Sequence, residues 1–277
     1  MRAWLTVSVM TEADKAFAGS IPALYDRYLG PFLFEPYALD LAGRLAGFEG
    51  RLLETAAGTG VLTRALAHAL PPGVAITATD LNQPMLDHAA QRLDAPQVAW
   101  RQADALTLPF ESASFDAVVC QFGAMFFPDK PAGFAEARRV LRPGGRFLFS
   151  VWGRIEENEI PAVVHAAVAA AFPRDPPSFL ARTPHGYNDR ERIDRDLREA
   201  GFTHVEMETV ALRSRAASPT DPAMGFCKGT PLRHEIEARD ATRLDEVTGL
   251  VAQTLARRFG DGPIDGGIQA HVIVATT

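Results

Sequence analysis

Between Arg51 and Trp152 the chain repeats one pattern: a short run of apolar or β-branched residues, a turn, then a stretch with helical spacing. The runs fall at 51–55, 74–79, 97–102, 115–121 and 146–152, with helices expected over 61–69, 84–93 and 132–141. Strands joined through helices pair in parallel by right-handed crossovers. The run Phe115-Asp116-Ala117-Val118-Val119-Cys120-Gln121 is nearly all apolar, as a central strand covered on both faces must be. Pro71-Pro72-Gly73 stops one helix, and Arg142-Pro143-Gly144-Gly145 makes a tight turn before the fifth run. The pattern restricts this part of the chain to an α/β sheet wound with helices on both faces.

The flanks are less regular. Residues 11–48 read as helices broken by turns at Gly30-Pro31 and Glu35-Pro36, with Phe32, Leu33, Phe34, Leu39, Leu41 and Leu45 as apolar faces. After Trp152 come a Pro-rich stretch from Pro173 to Pro184, a helix over 189–200 ended by Gly201, and a strand over 203–212. An irregular stretch, 214–232, leads to a long helix at about 239–258 and a last strand at 268–276. A strand, a long excursion and a terminal strand predict a final antiparallel pair at the sheet edge. The expectation is one doubly wound, seven-stranded mixed sheet with its last strand antiparallel to the others. Residues 1–48 are expected to be an N-terminal helical cover and 49–152 the ligand-binding core. Residues 153–277 complete the sheet and carry lid insertions at about 154–187 and 214–232.

Composition narrows the function. The chain has 277 residues, 47% of them hydrophobic and 22% charged, which excludes fibrous and wholly disordered classes. Its net charge of −6 repels phosphate backbones and disfavours nucleic acid as a partner. Cys120 and Cys227 make neither a disulfide framework nor a zinc spacing, so a reducing, cytoplasmic setting and no metal are expected. No apolar run reaches the ~20 residues that cross a bilayer, so no membrane insertion is expected. The first ten residues read as a ragged tail, with Met1 or Met10 as the start.

The chemistry concentrates at strand ends. Ala56-Ala57-Gly58-Thr59-Gly60 joins the first strand to its helix. Gly58 and Gly60 remove side chains where a ligand approaches the backbone, with a helix N-terminus behind. Asp80 ends the second strand, where doubly wound folds set a carboxylate on ribose hydroxyls; a helix cap is the bland alternative. A dinucleotide fingerprint wants a small residue where Thr63 stands, which weakens a nicotinamide cofactor. Asp104, in Ala103-Asp104-Ala105, either accepts an adenine amine, with the Ala105 backbone on a ring nitrogen, or caps a turn before Pro109.

These residues resemble the class I S-adenosylmethionine-dependent methyltransferases, in the small-molecule branch related to quinone C-methyltransferases ("methyltransferase type 11"). The resemblance runs from about Tyr25 to Trp152. It rests on Leu53-Glu54-Thr55-Ala56-Ala57-Gly58-Thr59-Gly60, Thr79-Asp80-Leu81-Asn82, Ala103-Asp104-Ala105, Phe115 to Gln121, and Val140-Leu141-Arg142-Pro143-Gly144-Gly145-Arg146, in that order and spacing. It implies a Rossmann-like methyltransferase fold and S-adenosyl-L-methionine as cofactor. The loop Ala56, Ala57, Gly58 and Gly60 then passes the methionine part of the cofactor. Asp80 holds the ribose, with Leu81 and Met85 against adenine or ribose, and Asp104 and Ala105 read the adenine. Gln121 and Phe122 face the methyl donor, and Tyr25 resembles a tyrosine that closes over the amino-acid moiety.

Two departures matter. Ala56 stands where E-x-G-x-G-x-G has its first glycine, which narrows the loop slightly. Gln121-Phe122-Gly123-Ala124 replaces the Asn/Asp-Pro-Pro-Tyr/Phe motif of nucleobase amine methylation, so a small-molecule substrate is expected. A G-x-S-x-G elbow and H-E-x-x-H are absent from the sequence. His185 and His234 fall in irregular segments as exposed loop residues or a base. Phe122, Phe126 and Phe127 serve substrate or core. No catalytic base is assigned. A nicotinamide-dependent oxidoreductase and a catalytically silent cofactor-binding relative stand as alternatives.

Overall fold

The structure is a computed structural model that describes Asp14 and residues 17–277. The Met1/Met10 question and the start of the expected N-terminal cover lie outside the described residues. The strands are β1 (Arg51–Glu54), β2 (Ala75–Asp80), β3 (Val98–Gln102), β4 (Phe115–Gln121), β5 (Leu141–Trp152), β6 (His204–Ala216) and β7 (Ile264–Thr276). They form one seven-stranded sheet in the order β3-β2-β1-β4-β5-β7-β6. The β1–β5 neighbours pair in parallel, and β7 runs antiparallel to both β5 and β6, as the excursion before the last strand led us to expect.

The apolar run of β4 has the cause expected of it. Ala117 and Val119 point into one cluster with Leu52, Ile76 and Leu148, under Leu41 and Leu66. Val118 and Cys120 point into the opposite cluster with Leu53, Phe147 and Phe149, under Phe134 and Leu197. Alternate residues of a strand face opposite sides, so a strand roofed on both faces keeps polar residues only towards its ends, here Asp116 and Gln121.

The helices are α1 (Ile21–Tyr28), α2 (Glu35–Gly43), α3 (Val61–Ala69), α4 (Gln83–Arg92), α5 (Lys130–Val140), α6 (Glu159–Ala171), α7 (Phe179–Arg182), α8 (Arg190–Glu199), α9 (Thr220–Gly229), α10 (Leu232–Asp240) and α11 (Leu244–Phe259). Several expected boundaries are corrected. Gly30-Pro31 and Glu35-Pro36 are not turns: a single π-helical segment, Gly30–Phe34, joins α1 to α2. Each proline sits in a first turn, where its missing N–H costs nothing, and Leu29 and Leu33 keep their N–H bonds to Tyr25 and Leu29 carbonyls. The stretch 214–232 is not irregular but holds the end of β6 and helix α9. A Cβ on Gly225 would stand 2.5 Å from Leu29 Cδ2, so a glycine there lets α9 lie against the end of α1. The expected helix at 239–258 is two, split by a 3-10 turn where the Asp240 side chain accepts the Thr242 N–H at 2.9 Å. Arg142–Gly145 is a bulge inside β5: Phe115 pairs with Leu141 and Ala117 with Arg146.

β6 and β7 are longer than expected because they continue to pair with each other. Trp152 is the last β5 residue to pair with β7, at Ala270, while β6 follows β7 on to Ala216 and Ile264. The two strands project past the sheet as a ribbon, and α9, α10 and α11 hang from its end.

Candidate active site

The parallel strands end side by side, and their C-terminal residues build the site. Tyr25, Ala56, Gly58, Asp80, Leu81, Met85, Asp104, Ala105, Gln121 and Phe122 line one cavity of about 130 Å³. Ala57 lies in an adjoining recess with Glu54, Thr59 and Gln121. Gly60 is the exception among the expected residues. It caps α3 with φ +77°, and a Cβ there would stand 3.0 Å from the Trp100 ring, so its glycine serves the turn and its packing.

Asp80 is buried at the end of β2. Its Oδ2 accepts the Gly58 N–H at 2.9 Å and its Oδ1 the Asn82 N–H at 2.8 Å. Burial raises its pKa above the ordinary carboxylate value, against these backbone bonds. Asp80 therefore holds the glycine loop against the strand end while lining the cavity. Leu81 beside it is 44% exposed, an apolar side chain left open at the cavity wall. Asp104 does cap a turn, accepting the Leu106 N–H on Oδ1 at 2.9 Å, and lines the cavity as well. Gln121 gives its amide N–H to the Phe34 carbonyl at 2.7 Å, tying β4 to the π-helical segment.

Glu54 was quoted in the motif but not expected as a site residue. It is 1% exposed, and its Oε2 has no hydrogen-bond partner among the described residues. Burial, with the Asp80 charge adding, pushes its carboxyl up to about 8. The signal that would have found it is positional: Glu54 ends β1 as Asp80 ends β2 and Gln121 ends β4. Phe17 and Asn82 also line the cavity, Phe17 giving its N–H to Asn82 Oδ1 at 3.4 Å. Phe17 lies outside the strand–helix pattern, so nothing in the sequence marked it.

Helix α1 is fastened over this site through Asp26. Its buried carboxylate meets Arg64 of α3 at 2.8 Å, and His88 and Arg92 of α4 at 3.2 and 2.8 Å. Burial alone would raise the Asp26 pKa; Arg64 above all overrides it and the net shift is downward. Arg64 also gives a hydrogen bond to the Thr59 carbonyl, so α1, α3 and the loop are linked through one guanidinium. Tyr25, one residue earlier, stacks on Phe34 with centroids 4.9 Å apart. Burial, with Asp80 and Asp26 nearby, pushes its hydroxyl well above its ordinary value, so it stays protonated.

Phe122 is a bulky residue at φ +51°, a strained conformation worth about 1–2 kcal/mol. Its N–H bonds the Ser150 carbonyl at 3.1 Å, and its ring stacks on Trp152 at 3.7 Å with an interplanar angle of 4°. Phe122, Phe17, Tyr25 and Phe126 separate the first cavity from a second, of about 40 Å³, walled otherwise by residues such as Leu33, Trp152, Phe179 and Phe226. Phe126 thus faces both chambers. His185 also lines the second and is buried, not an exposed loop residue.

The residues fit S-adenosylmethionine. A carboxylate at the end of β2, an exposed leucine beside it, and an orphaned carboxylate oxygen behind a glycine loop suit a ribose, an adenine face and an ammonium group. Residues 53–149 match the model of a family described as "Methyltransferase domain". The ubiquinone/menaquinone biosynthesis C-methyltransferase UbiE of Paracoccus denitrificans is 34% identical over 178 residues, covering 58% of this chain and 69% of that protein. The chain belongs to the class I S-adenosylmethionine-dependent methyltransferases.

The demethylmenaquinone methyltransferase of Deinococcus radiodurans is 36% identical over 177 residues, covering 58% of this methyltransferase and 71% of its relative. In fold, the enzyme is similar to phosphoethanolamine N-methyltransferase 2 of Haemonchus contortus, solved with S-adenosyl-L-methionine: TM-score 0.58, 19% identity, 92% of this chain and 56% of that one. The methyltransferase uses S-adenosylmethionine, and the nicotinamide-dependent alternative is not favoured. Among the described residues no helix is long and apolar enough to cross a membrane, and no group of three or more His, Cys, Asp or Glu side chains could hold a metal ion.

Proposed function

We propose that this methyltransferase methylates a small, planar, largely apolar acceptor seated in the second chamber. The observation that carries the reading is the aromatic chamber itself, which shares the Phe17, Tyr25, Phe122 and Phe126 wall with the cofactor cavity. The quinone methyltransferases among its relatives support an aromatic acceptor of that kind. The net charge of −6 disfavours nucleic acid, and two buried free thiols suit a reducing cytoplasm.

Bound S-adenosylmethionine supplies a methyl group already activated on a cationic sulfur. The chain's residues supply alignment and dryness. Asp80 accepts hydrogen bonds from the ribose, Leu81 and Met85 pack against the nucleoside, and Asp104 with Ala105 contacts the adenine. Glu54, across the loop of Ala56, Ala57 and Gly58, receives the ammonium group. Tyr25 closes over the amino-acid end, and Gln121 with Phe122 faces the reacting centre. Residues 1–48 act as the cover, 49–152 as the cofactor-binding core, and 153–277 as sheet completion and acceptor cap.

Calorimetry with S-adenosylhomocysteine tests the reading. Asp80→Ala should raise the dissociation constant roughly 10- to 100-fold, the loss of about 1.5–3 kcal/mol expected for hydrogen bonds to a charged group. A thermal transition first establishes that the variant is folded, because Asp80 also holds the Gly58 N–H. Parental affinity in a folded variant removes Asp80 from the site. A parent that binds S-adenosylhomocysteine but methylates no member of a panel of phenols, naphthols and hydroquinones overturns the aromatic acceptor.

A further inference from the structure

The second chamber holds one imidazole. His185 follows α7 and is 5% exposed. Its Nδ1 lies 2.9 Å from the Gly153 carbonyl, just beyond β5. A carbonyl only accepts, so Nδ1 carries the proton and Nε2 presents a lone pair. The hydrogen bond of the ring runs through Nδ1, which leaves Nε2 free for a ligand, and His185 lines the chamber. Thr230, the other polar side chain beside it, is committed: its hydroxyl gives to the Phe226 carbonyl at 2.7 Å and accepts the Leu232 N–H at 3.2 Å. Burial, with the Asp80 charge adding, holds the Tyr25 hydroxyl protonated, so it serves as a donor. Trp152 flanks the imidazole, with ring centroids 6.0 Å apart.

We infer that His185 Nε2 receives the hydroxyl proton of an aromatic acceptor bound in the second chamber, a catalytic role set by the Gly153 carbonyl and the Phe122–Trp152 wall. The inference rests on the methyltransferase reading and names the acceptor as a phenol, naphthol or hydroquinone. As the acceptor oxygen, or the ring carbon next to it, bonds to the incoming methyl, the O–H electron pair stays on the acceptor. The proton goes to Nε2, and the sulfur–carbon electron pair remains on sulfur. For methylation at oxygen the imidazolium then releases its proton to water; for methylation at carbon the ring proton leaves to water and the imidazolium returns its proton to the oxygen. Burial pulls His185 down to about 4, so the ring is neutral at neutral pH and takes the proton only as the methyl bond forms and acidifies the acceptor O–H. The titratable groups facing it are Glu156, before α6, and His165, within α6; burial lowers the His165 pKa as well.

The test uses the full chain saturated with S-adenosylhomocysteine and 1-naphthol as the probe. Nitrogen-15 NMR should show the His185 Nε2 resonance move on adding naphthol, and no such movement in His185→Gln. That variant should bind S-adenosylhomocysteine as the parent does. Its kcat on whichever panel acceptor the parent methylates should fall roughly 10²- to 10⁴-fold, the usual contribution of a positioned base, with KM within a few-fold. The residual rate should rise with pH as the acceptor ionises unaided. If His185→Gln does not fold, the parent's NMR titration decides alone. A parent that binds S-adenosylhomocysteine while naphthol leaves the imidazole unmoved overturns this inference alone. So does a folded variant with parental kcat and pH profile. A parent that binds no S-adenosylhomocysteine fails the cofactor reading first.

Discussion

At the scale of single residues, the glycine-loop side of the site holds two violations of local preference, besides the strain at Phe122. Glu54 is a carboxyl buried without a full set of partners, and Ala56 is an L-residue at φ +52°. A carboxyl raised to about 8 is mostly protonated at pH 7, and an ammonium group arriving beside it restores the ionised form. Binding of S-adenosylhomocysteine at pH 7 should therefore release about one proton. Calorimetric heats should differ between phosphate and Tris in proportion to their ionisation enthalpies, and Glu54→Gln should lose the difference. Heats independent of buffer in the parent would show Glu54 uninvolved. The Ala56 Cβ does not narrow the loop as expected. It fills space vacated by Gly123, where a Cβ would overlap that of Ala56 and stand 2.8 Å from Cys120 Sγ. Gly123→Ala should cost about 1–3 kcal/mol by overpacking. Ala56→Gly should recover part of that loss in the double variant, visible as a non-additive thermal shift. Strictly additive losses would mean the two positions do not share that space. The motif string located Ala56 but not its partner, because 67 residues of chain separate them and only the fold brings them together.

At the scale of elements, the strand–helix alternation was legible because a parallel strand and its crossover helix each carry their own period. Val61–Ala69 and Phe115–Gln121 fall where the spacing predicts them. The flanks were less legible: Gly30-Pro31 and Glu35-Pro36 were read as turns where they continue a helix, and 214–232 was read as irregular where it holds α9. Pro31 and Pro36 open helical turns, and Gly225 and Gly229 let α9 lie against α1. The Asp26 cluster that pins α1 to α3 and α4 could not be read either, since its four members come from three separate segments. Asp26→Asn should destabilise the protein by about 1–3 kcal/mol at pH 7 by leaving charged partners short of an acceptor. Because the folded carboxyl titrates lower than an unfolded one near 3.9, this stabilisation is present above that value and is lost as pH falls through the folded pKa. The difference in melting temperature between parent and Asp26→Asn should thus hold from pH 7 to about 5 and close below about 4. A difference unchanged at pH 3 would place the stabilisation elsewhere.

At the scale of the whole molecule, the single seven-stranded sheet and its antiparallel last strand followed from the pattern of runs, whereas the strand order and the second chamber did not. Its walls come from the π-helical segment, the loop after β4, α7 and α9, which meet only once the sheet has formed. The ribbon of β6 and β7 gives this arrangement a particular freedom. Its two strands are hydrogen-bonded to each other from His204 and Thr276 out to Ala216 and Ile264, so the stem is complete before α9 begins and again after α11 ends. The chain between residues 216 and 264 leaves and re-enters the sheet at two neighbouring backbone positions, and packs on the rest through α1 and α6. A different set of helices could be spliced between them with the sheet register, the glycine loop and Asp80 untouched. The part of the second chamber's wall that α9 supplies is in that sense an interchangeable head on a fixed shaft, and a chimaera cut at Ala216 and Ile264 would exchange that wall while keeping His185, Phe122 and Trp152.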